Sequence, residues 1–166
     1  MAKIIRVVRE NLPPVRFIGK KYKKFGHWDE WFAHGWFDIL EENMGGVENI
    51  TQLWENGGGY VGLERRRDGE LAEYWIGMFA PAGTAVPQTF ASVDFPQSPL
   101  GVCWLQGKVP EVHDTSGCRQ ALAEHGMEPW QDSAGMTWSF ENCVCPRYTT
   151  PDEKQQVILD YCYLIR

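Results

Sequence analysis

The chain has 166 residues, 43% hydrophobic and 23% charged, with a formal charge of −6. That length holds one domain with a real core, and no run approaches the eighteen apolar residues of a membrane span. The negative balance argues against general nucleic-acid binding, which uses lysine and arginine to displace phosphate counterions.

The opening residues, Met1-Ala2-Lys3-Ile4-Ile5-Arg6, alternate charged and apolar side chains and lack the apolar stretch of a signal peptide, so a cytoplasmic location is expected. Residues 4–9 read as a strand, broken at Leu12-Pro13-Pro14, and residues 15–22 read as a second. Lys20, Lys21, Lys23 and Lys24 form the one basic cluster and read as a solvated strand end. From His27 to Asn43 the period is helical. Trp28, Trp31, Phe32, Phe37 and Leu40 recur at three- and four-residue steps as a buried stripe, with Trp36 off it, and Gly45-Gly46 ends the run. A polar stretch with Trp54 and Gly57-Gly58-Gly59 then leads to a strand over 60–66. Asp68-Gly69 turns the chain into another over 74–79.

The second half repeats this order. Strands are expected over 90–95 and 100–108. A helix capped by Asp114 or Thr115 then runs through Ala121, Leu122 and His125 to Gly126. Residues 136–145 read as a strand, 146–155 as a loop and 157–165 as a continuously apolar last strand. A strand–helix–strand–strand module used twice is an α+β fold with an antiparallel sheet and helices on one face. It spans residues 1–166 as one domain, with halves at about 1–82 and 86–166.

The five cysteines, an odd number, read as free and mostly buried thiols. Cys143-Val144-Cys145 lacks the spacing and the second ligand pair of a zinc site, and His113 and His125 do not complete one, so neither metal nor cofactor is expected. The unusual feature is eight tryptophans beside six tyrosines and eight phenylalanines, enough large rings to line a pocket as well as fill a core.

In this order the pieces resemble the GyrI-like effector-binding superfamily, related to the sensing domains of AraC-type activators. Val15-Arg16-Phe17-Ile18-Gly19 is similar to its opening strand, and His27-Trp28-Asp29-Glu30-Trp31-Phe32 to the start of its first helix. Tyr60-Val61-Gly62 with Glu73-Tyr74-Trp75-Ile76-Gly77 resembles the central hairpin. Phe140-Glu141, Pro146-Arg147-Tyr148 and Val157-Ile158-Leu159-Asp160-Tyr161 resemble the closing strands. The chain departs from the pattern at Cys143, where relatives often carry an aromatic residue, and at Tyr163-Leu164-Ile165, where they end apolar–Pro–apolar. The resemblance implies a pseudo-twofold axis, a curved sheet with two main helices outside it, and a ligand cleft between the halves. It also implies a stand-alone small-molecule binder, including multidrug binding, and a glutamate facing the ligand at Glu141.

A carboxylate among rings loses hydration and needs a partner; a flat organic cation supplies one and also stacks on ring faces. Glu141 is therefore the expected ligand partner, although the residues alone equally allow an exposed strand-edge carboxylate. Alternation along a strand puts Ser139, Glu141 and Cys143 on one face, and Leu159, Tyr161 and Tyr163 on one face of the last strand, with Asp160 solvated. Tyr161 and Tyr163 are expected pocket walls. Tyr60 and Trp75, beside Gly62 and Gly77, are further candidates, as are Trp104 and Trp36. An aromatic, cationic, lipophilic small molecule is the expected partner. The alternatives are a hydrolase of cyclopropane-containing toxins using Glu141, and a gyrase-inhibitor-like interaction module. No helix-turn-helix is visible, so direct DNA binding is not expected, and no membrane or protein partner is indicated.

Overall fold

Residues 2–166 are described by the computed structural model. Eight strands, β1 (Lys3–Leu12), β2 (Val15–Tyr22), β3 (Tyr60–Arg67), β4 (Glu70–Pro81), β5 (Ala91–Phe95), β6 (Ser98–Gly107), β7 (Thr137–Cys143) and β8 (Val157–Leu164), make one antiparallel sheet. Four short helices join them: α1 (Trp28–His34), α2 (Trp36–Asn43), α3 (Glu48–Thr51) and α4 (Cys118–Glu124). No helix among the described residues is long and apolar enough to cross a membrane.

The strand order is β1-β6-β8-β7-β3-β4-β2-β5. Read outward from the β7–β3 junction, β7, β8 and β6 mirror β3, β4 and β2, as the repeated element order predicts. The outer strands are exchanged, however. β1 precedes β2 but pairs with β6, and β5 precedes β6 but pairs with β2. The links explain why neither pair closes as a hairpin. Pro13-Pro14 joins β1 to β2 and Pro96-Gln97 joins β5 to β6, and proline's fixed negative φ cannot supply the positive φ that a two-residue hairpin turn needs at its first position. At Asp68-Gly69, by contrast, φ is 51° and 84°, and β3 and β4 pair directly as expected.

The two faces of the sheet differ. One carries Phe17, Phe79, Phe140 and Trp138 and curls on itself: Trp138 on β7 meets Phe95 on β5 at 5.2 Å, across three intervening strands. Trp54 plugs this core edge-on against Phe79 and Phe140. The outer face holds α1, α2 and α4. Trp31, Phe37 and Leu40 are buried beneath α1 and α2, while Leu122 of α4 sits so close over β6 that a Cβ on Gly101 would lie 2.9 Å from it.

Several sequence expectations change. The helix over 27–43 is two, because Gly35 turns left-handed (φ 64°) and caps α1 before α2 starts. Phe32, expected in the buried stripe, is 60% exposed. The polar stretch before Trp54 contains α3. Asp114 does not cap α4: its Oδ1 accepts from the backbone and hydroxyl of Ser116, and α4 begins after Gly117. Asp160, expected to be solvated, is buried and accepts two hydrogen bonds from Arg147 at 2.8 and 2.5 Å. An acid lacking hydration needs such a pair.

Candidate functional site

Between the two helical units, on the outer face, lies a cavity of about 1160 Å³. Its floor comes from β3, β4, β7 and β8. One wall comes from the segment around α1, including Phe25, Trp28 and Phe32, and the other from the start of the α4 segment with Tyr148. Four expected residues are brought together here: Glu141, Tyr60, Tyr161 and Tyr163 all line it.

Trp75, Trp104 and Trp36 are not among the lining residues. For the first two the register gives the reason. Glu141 stands opposite Gly62 and Tyr161, whereas Trp75 pairs with Leu63, itself opposite Phe140, and Trp104 pairs with Asp160, itself opposite Asn142. Both are one residue out of phase with Glu141 and so point to the other face. There Trp75 packs edge-on against Phe17, and Trp104 carries the guanidiniums of Arg6 and Arg147 on its ring at 4.7 and 4.4 Å. Trp36 packs against Trp31 and His34, with the Lys20 ammonium 4.3 Å from its ring centre. Gly77 does not make room for a ligand either. A Cβ there would lie 2.1 Å from the Ile18 carbonyl, so it serves the close approach of β4 to β2.

Gly62, facing Glu141 across the β3–β7 ladder, does shape the cavity. A Cβ there would fall 2.7 Å from the Tyr74 hydroxyl, which accepts a 2.7 Å hydrogen bond from Trp28 Nε1. The missing side chain lets the Trp28–Tyr74 pair settle beside the acid. Tyr60 is fixed flat against Phe37, 3.7 Å between ring centres.

Glu141, with a side chain 18% exposed, has a partner that sequence reasoning missed. Its Oε2 lies 2.5 Å from His113 Nδ1, and His113 Nε2 lies 2.8 Å from the Tyr148 hydroxyl. The carboxylate, imidazole and phenol form one chain along the cavity wall, assembled from β7, the short turn Glu111–His113 and the β7–β8 loop. No spacing in the sequence links them.

A second acid was also missed. Glu64 on β3 is 2% exposed; Arg66 ion-pairs with its Oε1, and the Tyr161 hydroxyl donates to its Oε2 at 3.2 Å. Burial raises its pKa, and the Arg66 guanidinium only partly opposes this. The strand period places Glu64 two residues from Gly62, and so on the cavity face, which was the available signal. Burial likewise raises Tyr74 and Tyr148, and Tyr60 to about 12. The lining sets the carboxylates of Glu41, Glu64, Asp114 and Glu141 against the guanidiniums of Arg66 and Arg119 and the imidazole of His113. No cluster of three metal-ligating side chains occurs among the described residues.

No family model and no curated protein matches the chain by sequence. Solved structures do match in fold. One is a Staphylococcus aureus MU50 protein named for bacterial transcription regulation: TM-score 0.60, 15% identity, covering 98% of this chain and 99% of that one. A second is SAV2435 bound to tetraphenylphosphonium: TM-score 0.57, 14% identity, 98% and 94% covered. A third is EcmrR in a complex with DNA: TM-score 0.61, 7% identity, 97% of this chain but 57% of that one. At these identities the likeness is one of fold. The chain spans little more than half of EcmrR.

Proposed function

We propose that the chain is a GyrI-like effector-binding domain that takes aromatic, lipophilic cations into the cavity between its helical units, with Glu141 as countercharge. The observation that carries this is the place of Glu141, on a ring-lined floor with one carboxylate oxygen, Oε2, on His113 and the other unpartnered among the described residues. Cation–π contacts to such rings contribute roughly 0.5–2 kcal/mol each, and Trp28, Tyr60, Tyr74 and Tyr161 supply the rings. Glu64 is the weaker candidate, because Arg66 and Tyr161 already occupy both its oxygens. The fold shared with SAV2435, seen with an aromatic cation, supports the same reading. Calorimetric titration with tetraphenylphosphonium and with neutral triphenylphosphine oxide tests it. The proposal expects saturable one-to-one binding with the cation preferred at least tenfold at pH 8. Equal affinity, or no saturation, would reject it.

The Tyr148–His113–Glu141 chain favours a second reading, a hydrolase of strained-ring toxins. A water at Tyr148 would pass its proton through the phenol to His113 as its oxygen bonds to a ring carbon; the strained carbon–carbon bond breaks, the proton returns to the carbon released, and Glu141 steadies the transient imidazolium. Turnover of a cyclopropane-containing electrophile, lost in Tyr148→Phe, is its test. Saturable binding with the ligand recovered unchanged counts against it.

A further inference from the structure

His113 occupies the acid that the cation-binding reading assigns to the ligand. Its Nδ1 is 2.5 Å from Glu141 Oε2, and its ring is half-open to the cavity, with a side chain 32% exposed. Its other nitrogen meets Tyr148, so the ring is held from both sides and stays on the carboxylate. An imidazole can be neutral, with one ring N–H, or cationic, with two. When protonated, His113 neutralises Glu141 and places a positive charge against the cavity. When neutral, it still donates Nδ1–H to Glu141 but leaves the carboxylate's charge uncompensated.

From this geometry, and resting on the cation-binding reading, we infer that His113 determines the charge class of the ligand. It is a built-in cation that an incoming cation must discharge, so cation binding releases a proton from His113, while neutral aromatic ligands bind either form.

The other ionisable groups around the pair leave one competitor. From β4, the β7–β8 loop and β8, the phenols of Tyr74, Tyr148, Tyr161 and Tyr163 are all pushed upward by burial, as is the Cys143 thiol beside Glu141. They stay protonated through the pH range tested below. Arg66 and Arg119 remain charged, and Asp114, held down by Ser116, remains ionised. Glu41, which accepts from the Tyr60 hydroxyl, and the exposed Cys145 thiol also line the cavity and are left in place by the variant used below. The competitor is Glu64, raised by burial and coupled to Glu141, which also takes up a proton as pH falls. A variant that removes only the imidazole separates the two.

The test is calorimetric titration with tetraphenylphosphonium from pH 5.5 to 8.5 in two buffers of different ionisation enthalpy, using the full chain and His113→Gln. The glutamine keeps a hydrogen-bond donor for Glu141 without a titrating charge. In the wild type, affinity should rise with pH, approaching about tenfold per unit where His113 is protonated, with up to one proton released per cation bound. Triphenylphosphine oxide should show neither effect. His113→Gln should bind the cation at pH 5.5 at least about tenfold more tightly than the wild type and with little pH dependence. A slope that persists unchanged in His113→Gln assigns the linkage to Glu64 and overturns the inference. So does wild-type binding that is independent of pH with no proton released, a result that leaves the cation-binding reading intact. Should His113→Gln not fold, Glu64→Gln takes its place: proton release and a pH slope retained there support the inference, and their loss assigns the linkage to Glu64 and overturns it. No binding at any pH overturns the reading and the inference together.

Discussion

Glu64 shows how a single residue escapes sequence reasoning. Tyr60-Val61-Gly62-Leu63-Glu64 looks like a strand whose charged end reaches solvent, yet β3 is central, so its acid is buried. Because burial raises its pKa, the folded state holds this proton more tightly than the unfolded chain does. Stability from this group is then fully present below the unfolded pKa and is lost as pH rises through the folded one. Glu64→Gln, which mimics the protonated acid, should flatten that dependence. Thermal melts from pH 4 to 8 should show wild type and variant converging at low pH, with the variant equal or more stable at pH 8. A variant markedly less stable at pH 8 would mean that the Arg66 pair outweighs burial. The place of Glu141 on the same sheet face as Ser139 and Cys143 was legible through strand alternation, and it lines the cavity. Those of His113 and Tyr148 were not, since nothing local fixes where a three-residue turn and a loop will place their tips.

At the scale of elements, strands were easier to read than helices, because alternation and turn residues mark a strand locally. Helix α1 ends after only seven residues on the backbone conformation of Gly35 rather than on any loss of apolar period. The faces of β4 and β6 were also hidden: Trp75 and Trp104 look like pocket rings until their register against Glu141 puts them one step out of phase. Gly19 and Gly77 pair directly where β2 and β4 approach, and a Cβ on either would sit about 2 Å from a facing carbonyl. Gly77→Ala should therefore destabilise the fold by about 3 kcal/mol through overpacking, without changing ligand selectivity in the folded fraction. Urea unfolding checks the first part. A variant of wild-type stability would contradict the close approach. Gly62→Ala should act the other way, narrowing the cavity beside Glu141 and weakening large ligands more than small ones.

Over the whole molecule, the repeated strand–helix–strand–strand order was legible, whereas the exchange of outer strands was not, since pairing partners far apart in sequence leave no local mark. The finished fold sets which of the eight tryptophans can report a ligand. Trp28 is the one on the cavity wall, held by Tyr74, while the rings expected to do so lie elsewhere. An aromatic cation should quench part of the emission in the wild type and much less in Trp28→Phe. Quenching unchanged in that variant would move the ligand out of this cavity. Cation binding in this cavity stands or falls on the charge of Glu141, which the affinity of Glu141→Gln for tetraphenylphosphonium and triphenylphosphine oxide at pH 8 tests. A charged partner in a partly buried site is worth roughly 1.5–3 kcal/mol, so cation affinity should fall by about one to two decades. The neutral ligand should bind as before or slightly better. Equal weakening of both would show that Glu141 only supports the cavity wall, and no change in either would show that the acid does not face the ligand.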